Sequence, residues 1–139
     1  MRQIVVGVDA SDASLEAARF AGRLAEQTGA ELTVVHVRTT PFPGGEEDLD
    51  VGELETYWQA AEQRAADQTS QALAGCTAHW SFQVRAGDPA QELERVAREG
   101  QAELLVVGGR GHTVTHRLLL GSVANRLLHH ADRPVLVVR

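Results

Sequence analysis

Cysteine is almost absent from these 139 residues, basic side chains are outnumbered by acidic ones 13 to 19, and no long apolar run occurs. Each shortage removes a class of function. A lone Cys76 builds neither an intramolecular disulfide framework nor a multi-cysteine zinc site, which suits a reducing cytoplasm. A formal charge of -6 and a pI near 5.4 exclude a general electrostatic affinity for nucleic acid or an anionic membrane, because an acidic surface gains nothing from meeting a polyanion. A bilayer-crossing helix needs roughly 20 apolar residues, and no run comes close. The opening MRQIVVGVDAS meets Asp9 too early for a cleavable leader. The expectation is a soluble, cytoplasmic chain that binds neither nucleic acid nor membrane.

Five apolar runs are present, with helix-like segments between them. QIVVGV (3–8), LTVVHV (32–37), HWSFQVR (79–85), ELLVVG (103–108) and PVLVV (134–138) read as strands. With 43% hydrophobic residues, a chain of this length buries about two-thirds of its unfolded surface, so a single domain over 1–139 is expected. Between the strands, Ser11 to Gly29 forms an amphipathic segment. The stretch 51–74 sets Leu54, Trp58, Ala61, Ala65 and Ala72 on one helical face. Asp88-Pro89 supplies a capping oxygen and a residue that tolerates the first turn, so a helix starts there. Gly29 and Gly100 follow amphipathic runs, where a left-handed residue lets the chain leave a helix. TTPFPGGEEDLDVG (39–52) is a compositional break and reads as a mobile loop.

IVVGV and LLVV are apolar throughout, as parallel strands covered on both faces are. HWSFQVR alternates Trp80, Phe82 and Val84 with Ser81, Gln83 and Arg85, so it reads as an edge. Strict strand–helix alternation predicts an α/β fold, a doubly wound parallel sheet with helices on both faces. Such sheets bind ligands beyond the carboxyl ends of their strands. That points to Gly7-Val8-Asp9, to His36-Val37, and to Gly108 onward.

The last of these, GGRGHTVTHRLLLGS, concentrates glycine between a strand and a helix. Glycine lets a ligand reach the backbone, and the helix start aims unpaired amides at the same spot, which makes an anion site. A purely structural turn fits the same residues. Ser122 either donates to a phosphate oxygen or caps its helix. Asp9 either accepts from ribose hydroxyls or caps the helix after it, with Ser11 and Asp12 as competing caps.

The stretches IVVGVDAS, LTVVHV and VVGGRGHTVTHRLLLGSVANRLLHHADRPVLVVR together resemble the universal stress protein family over essentially the whole chain. The most specific element is G-x2-G-x9-G-[S/T], matched by Gly108, Gly111, Gly121 and Ser122. The resemblance implies ATP, with Mg2+ or Mn2+, bound by those residues around phosphate and ribose. It implies Asp9 on the ribose or adenine side, Val37 lining the adenine pocket, and Val8, Val107, Arg110 and Val123 at neighbouring positions. Gly109 stands where many relatives carry Ser. It also implies a Rossmann-like sheet in the order 3-2-1-4-5 and homodimers. PVLVV at 134–138 is then an edge that is apolar throughout, and a homodimer through it removes an aggregation hazard.

Other chemistries find little support. His112 and His116 fall four apart and His129-His130 are adjacent, but none has an accompanying carboxylate or Cys, so no metal site is assigned. His36 lies within a strand and reads as a core histidine. There is no G-x-S-x-G elbow and no Walker A lysine, and VDASDAS replaces the Ser-Gly-Gly-x-Asp-Ser loop of ATP-consuming synthetases of similar topology. The leading expectation is a nucleotide-dependent stress-response protein with slow or no hydrolysis. An ATP-hydrolysing enzyme and a dimeric scaffold that binds no nucleotide are the alternatives.

Overall fold

A computed structural model describes residues 1–39, 50–109 and 121–139. Apolar β-branched runs give the strands β1 (Gln3–Gly7), β2 (Glu31–Arg38), β3 (Trp80–Ala86), β4 (Leu104–Gly108) and β5 (Val135–Val138). Amphipathic segments between them form α1 (Asp12–Thr28), α2 (Val51–Ala72), α3 (Pro89–Glu99) and α4 (Ser122–His130). All strand pairs are parallel, in the order β3-β2-β1-β4-β5.

Side-chain alternation divides the core between the two faces of the sheet. Ile4, Val6, Leu32, Val34 and Val106 pack under α1 and α2, while Val5, Val35, Leu105 and Val107 pack under α3 and α4. Both faces of β1 and β4 are therefore covered, which explains their uninterrupted apolar sequence. At the β3 edge Trp80 and Phe82 pack on the first cluster, whereas Val84 on the same face is 37% exposed.

The helix starts follow their local chemistry. Ser11, Asp50 and Asp88 each accept a backbone N–H three residues on, from Ser14, Glu53 and Gln91. Asp9 is thus not the α1 cap. Val51 and Gly52, where the expected loop (39–52) and helical stretch (51–74) overlap, open α2 because Asp50 caps it; residues 40–49 of that loop lie outside the described residues. Gly29 ends α1 with φ of 75°, as expected. After α3 the left-handed residue is Gln101 at φ of 53°, while Gly100 stays right-handed at -86°. Gly100 N–H is spent on Val96 O and Ala102 N–H on Ala97 O, so the reversal falls between them.

Candidate nucleotide site

The sheet order reverses at β1, whose neighbours β2 and β4 carry the chain away in opposite directions, and a cavity of about 520 Å³ lies beyond their carboxyl ends. Val8, Asp9, Val37, Val107, Gly108, Gly121, Ser122 and Val123 all line it. The structure therefore brings together eight positions separated by up to 115 residues of sequence (123 - 8). Arg110 and Gly111 lie outside the described residues, as do His112 and His116.

The β1 side is a tight turn into α1. Asp9 Oδ1 accepts from Ser11 N–H at 3.0 Å and from Ser11 Oγ–H at 2.5 Å, while Asp9 N–H donates to Ser14 Oγ at 3.1 Å. The carboxylate is held through the cap residue itself. Ala10, between them, adopts φ of 68°, a left-handed conformation that costs an L-residue about 1 kcal/mol.

Val37 presents a different kind of group. The β1–β2 ladder ends with Gly7 opposite Val35, and Val8 N–H on Val35 O, 2.9 Å, is its last bond. Alternation turns the N–H and C=O of Val37 to that same side, where β1 has already departed and the cavity begins. A donor and an acceptor are thus offered side by side. His36 is 8% exposed, with Nδ1 3.2 Å from Val8 O; since a carbonyl only accepts, Nδ1 carries the proton. It is a satisfied core histidine, and it also borders the cavity.

Across the gap, Gly108 at the end of β4 answers to packing. A Cβ on Gly108 would stand 2.7 Å from Ala13 C and 2.8 Å from Ser14 N, so its absence lets the first turn of α1 close on the strand end. Neither Gly108 nor Gly109 has positive φ. Gly109 N–H donates to Val138 O at 2.8 Å, and its carbonyl accepts from Gly121 N–H at 2.5 Å, which docks the start of α4. Gly121, with φ of -61°, is the N-cap of α4 and provides no side chain. Ser122 is the first helical residue rather than the cap and is exposed. Among the described residues no side chain accepts from the α4 amides, and Gly121 to Ala124 border the cavity.

One wall was not legible in advance. Tyr57, Trp58, Ala61 and Arg64 of α2 face the cavity, together with Arg38 at the end of β2. The three-and-four spacing that marked Trp58 and Ala61 as apolar was correct, but α2 overhangs the end of the sheet there. Glu62 accepts from Arg38 Nε and raises its pKa further above the ordinary guanidinium value. Among the described residues no group of three or more His, Cys, Asp or Glu is placed to hold a metal ion, and no helix is long and apolar enough to cross a membrane.

Comparison with known proteins decides the family. The model of the universal stress protein family matches residues 1–139. This chain belongs to that family. Universal stress protein MJ0531 of Methanocaldococcus jannaschii is 33% identical over 99% of this chain and 82% of its own length. A universal stress protein of Mycolicibacterium smegmatis is 32% identical, and there the chain spans only 47% of the relative. Among solved structures, universal stress protein UspA from Lactobacillus plantarum superposes with a TM-score of 0.82 at 27% identity, covering 99% of this chain and 97% of that one. A universal stress protein crystallised in complex with cAMP gives 0.68 at 30% identity, covering 99% and 96%. The universal stress protein fold thus places the cavity of this chain where its own sheet reverses.

Proposed function

We propose that this universal stress protein binds an adenine nucleotide, ATP with Mg2+ or Mn2+, and that occupancy of the cavity is its regulatory signal, with hydrolysis slow or absent. The observation that carries the reading is the open peptide edge of Val37. Its N–H and C=O match the N1 acceptor and N6 amino donor of adenine, a pairing that a guanine or hypoxanthine edge reverses. The uncapped start of α4 offers amides and a positive dipole end to phosphate oxygens, with the exposed Ser122 hydroxyl beside them. By family resemblance Gly111 belongs to the phosphate and ribose motif and Arg110 to a neighbouring position. A relative in complex with cAMP supports the adenine part of the reading.

The divalent cation fits this donor set as a companion of the phosphates, because Mg2+ keeps several waters and takes few protein ligands. What argues for slow hydrolysis is that Asp9, the carboxylate among the described cavity-lining residues, already has Oδ1 engaged by two bonds from Ser11. The protein acts as one cytoplasmic domain that pairs with a second copy through β5. Two measurements test the nucleotide reading. Denaturing the purified protein should release adenine nucleotide, identified by mass, and calorimetry of the stripped protein should give saturable ATP binding. Absence of binding at millimolar ATP refutes it, and steady phosphate release that depends on Asp9 would establish an enzyme instead.

A further inference from the structure

The end of β2 is supported from an unusual direction. Trp58 Nε1 of α2 donates to Thr39 O, one residue past the strand, at 3.0 Å. Arg38, the last strand residue, lays its guanidinium over the Trp58 ring at 5.4 Å from the centroid. Its Nε donates to Glu62, and its Nη1 lies 4.0 Å from Glu55 Oε2. Glu55, Trp58 and Glu62 stand three, then four residues apart, so they form one stripe on α2. On the β3 side the ladder stays in register as far as Arg38 opposite Ala86 and closes with the bond from Gly87 N–H to Arg38 O, 3.4 Å, while on the other side β1 has already stopped. A strand end with one neighbour missing opens locally at low cost. The α2 stripe holds it from the face of the sheet instead.

We propose that Trp58, acting with Arg38 and Glu62, is a positioning clamp that fixes the Val37 peptide edge and thereby sets base selectivity in the cavity. The proposal rests on the adenine-nucleotide reading above. No clamp atom has to touch the ligand, since the effect passes through the backbone from Thr39 and Arg38 to Val37. A fixed donor and acceptor favour adenine and oppose hypoxanthine, whose N1–H and O6 present the reverse pattern. An edge free to rotate tolerates both. The Arg38–Glu62 pair is partly exposed, with 29% and 19% of the side chains accessible, so it contributes little alone. The indole hydrogen bond and the stacked guanidinium carry the position.

Trp58→Phe keeps a ring beneath Arg38 and removes the indole N–H. Calorimetry with ATP and with inosine triphosphate, on wild type and variant, reads the selectivity. Loss of one neutral hydrogen bond through a positioning residue predicts ATP affinity weakened about fivefold. Inosine triphosphate affinity should stay within about twofold, so the ratio collapses while the melting temperature holds. Amide exchange, measured without ligand, should accelerate at Arg38 and Gly87 and stay unchanged in β1. Glu62→Ala should shift the same readouts in the same direction by less. Equal weakening for both nucleotides would mean a structural role only and overturns the proposal. Unaltered exchange at Arg38 and Gly87 in Trp58→Phe overturns the clamp on its own, with no nucleotide involved. A wild-type protein that binds no adenine nucleotide overturns the functional reading, and with it the selectivity role.

Discussion

Gly108 separates two meanings that a glycine-rich junction can have. A methyl added there meets the main chain of Ala13 and Ser14 at 2.7–2.8 Å, and main chain cannot swing aside as a flexible side chain would. Gly108→Ala must therefore lift the first turn of α1 from β4, at a cost of about 1–3 kcal/mol. Urea unfolding should show an earlier midpoint with an unchanged slope; an unchanged midpoint would mean that the turn has slack. The same shift would disturb Ser14, whose hydroxyl receives Asp9 N–H, so ATP affinity should fall as well. The spacing of Gly108, Gly111, Gly121 and Ser122 was readable from sequence as a family pattern, and so was Asp9 at a strand end. Which glycine answers to packing was not readable, because the distance from the end of β4 to α1, far earlier in the chain, is a tertiary quantity. For the same reason Asp9 and Ser122 each carried a capping alternative until the bonds of Ser11 and the bare N-cap Gly121 removed it.

At the scale of elements, local chemistry was a good guide to where helices begin and a weaker one to where they end. Asp88-Pro89 starts α3 as its residue types require, with Asp88 accepting from Gln91 N–H at 3.0 Å. Gly100 misleads at the other end: the obvious glycine remains right-handed, and Gln101 takes the left-handed conformation at φ of 53°. The chain must turn one residue later so that Ala102 N–H reaches Ala97 O and Glu103 N–H reaches Gln3 O at the start of β1. Gln101→Gly relieves the steric cost of that conformation while loosening the unfolded chain, a net gain of about 0.5–1 kcal/mol. Thermal melting should rise by about 2–4 °C, and a fall would show that the Gln101 side chain contributes something the backbone argument omits. Trp58 teaches the same lesson on α2. Its spacing marks a buried face, yet burial runs out where the helix passes the end of the sheet, and the ring becomes a wall of the cavity.

For the whole molecule, the two sheet edges are unequal. β3 presents Ser81, Gln83 and Arg85 along its length, and Arg85 is tied to Glu99 at 2.6 Å. β5 runs Val135-Leu136-Val137-Val138 without a charge, and all four residues are only half-buried. Apolar, unguarded edges recruit another strand, and two identical edges related by a two-fold axis pair antiparallel. The ladder specifies which groups are available. Leu105 N–H donates to Pro134 O and Gly109 N–H to Val138 O, so residues 134, 136 and 138 face β4 and the amides of Val135 and Val137 point outward. Val137→Pro removes an outward donor and places ring carbons in the path of a partner strand, leaving the bonds to β4 in place. If the wild type pairs through β5, sedimentation should report a dimer for it and a monomer for the variant. Leu136→Pro is the control, since its N–H faces β4; it should destabilise the fold itself. A Val137→Pro protein that sediments as wild type would move the interface away from β5, and a monomeric wild type would remove it altogether.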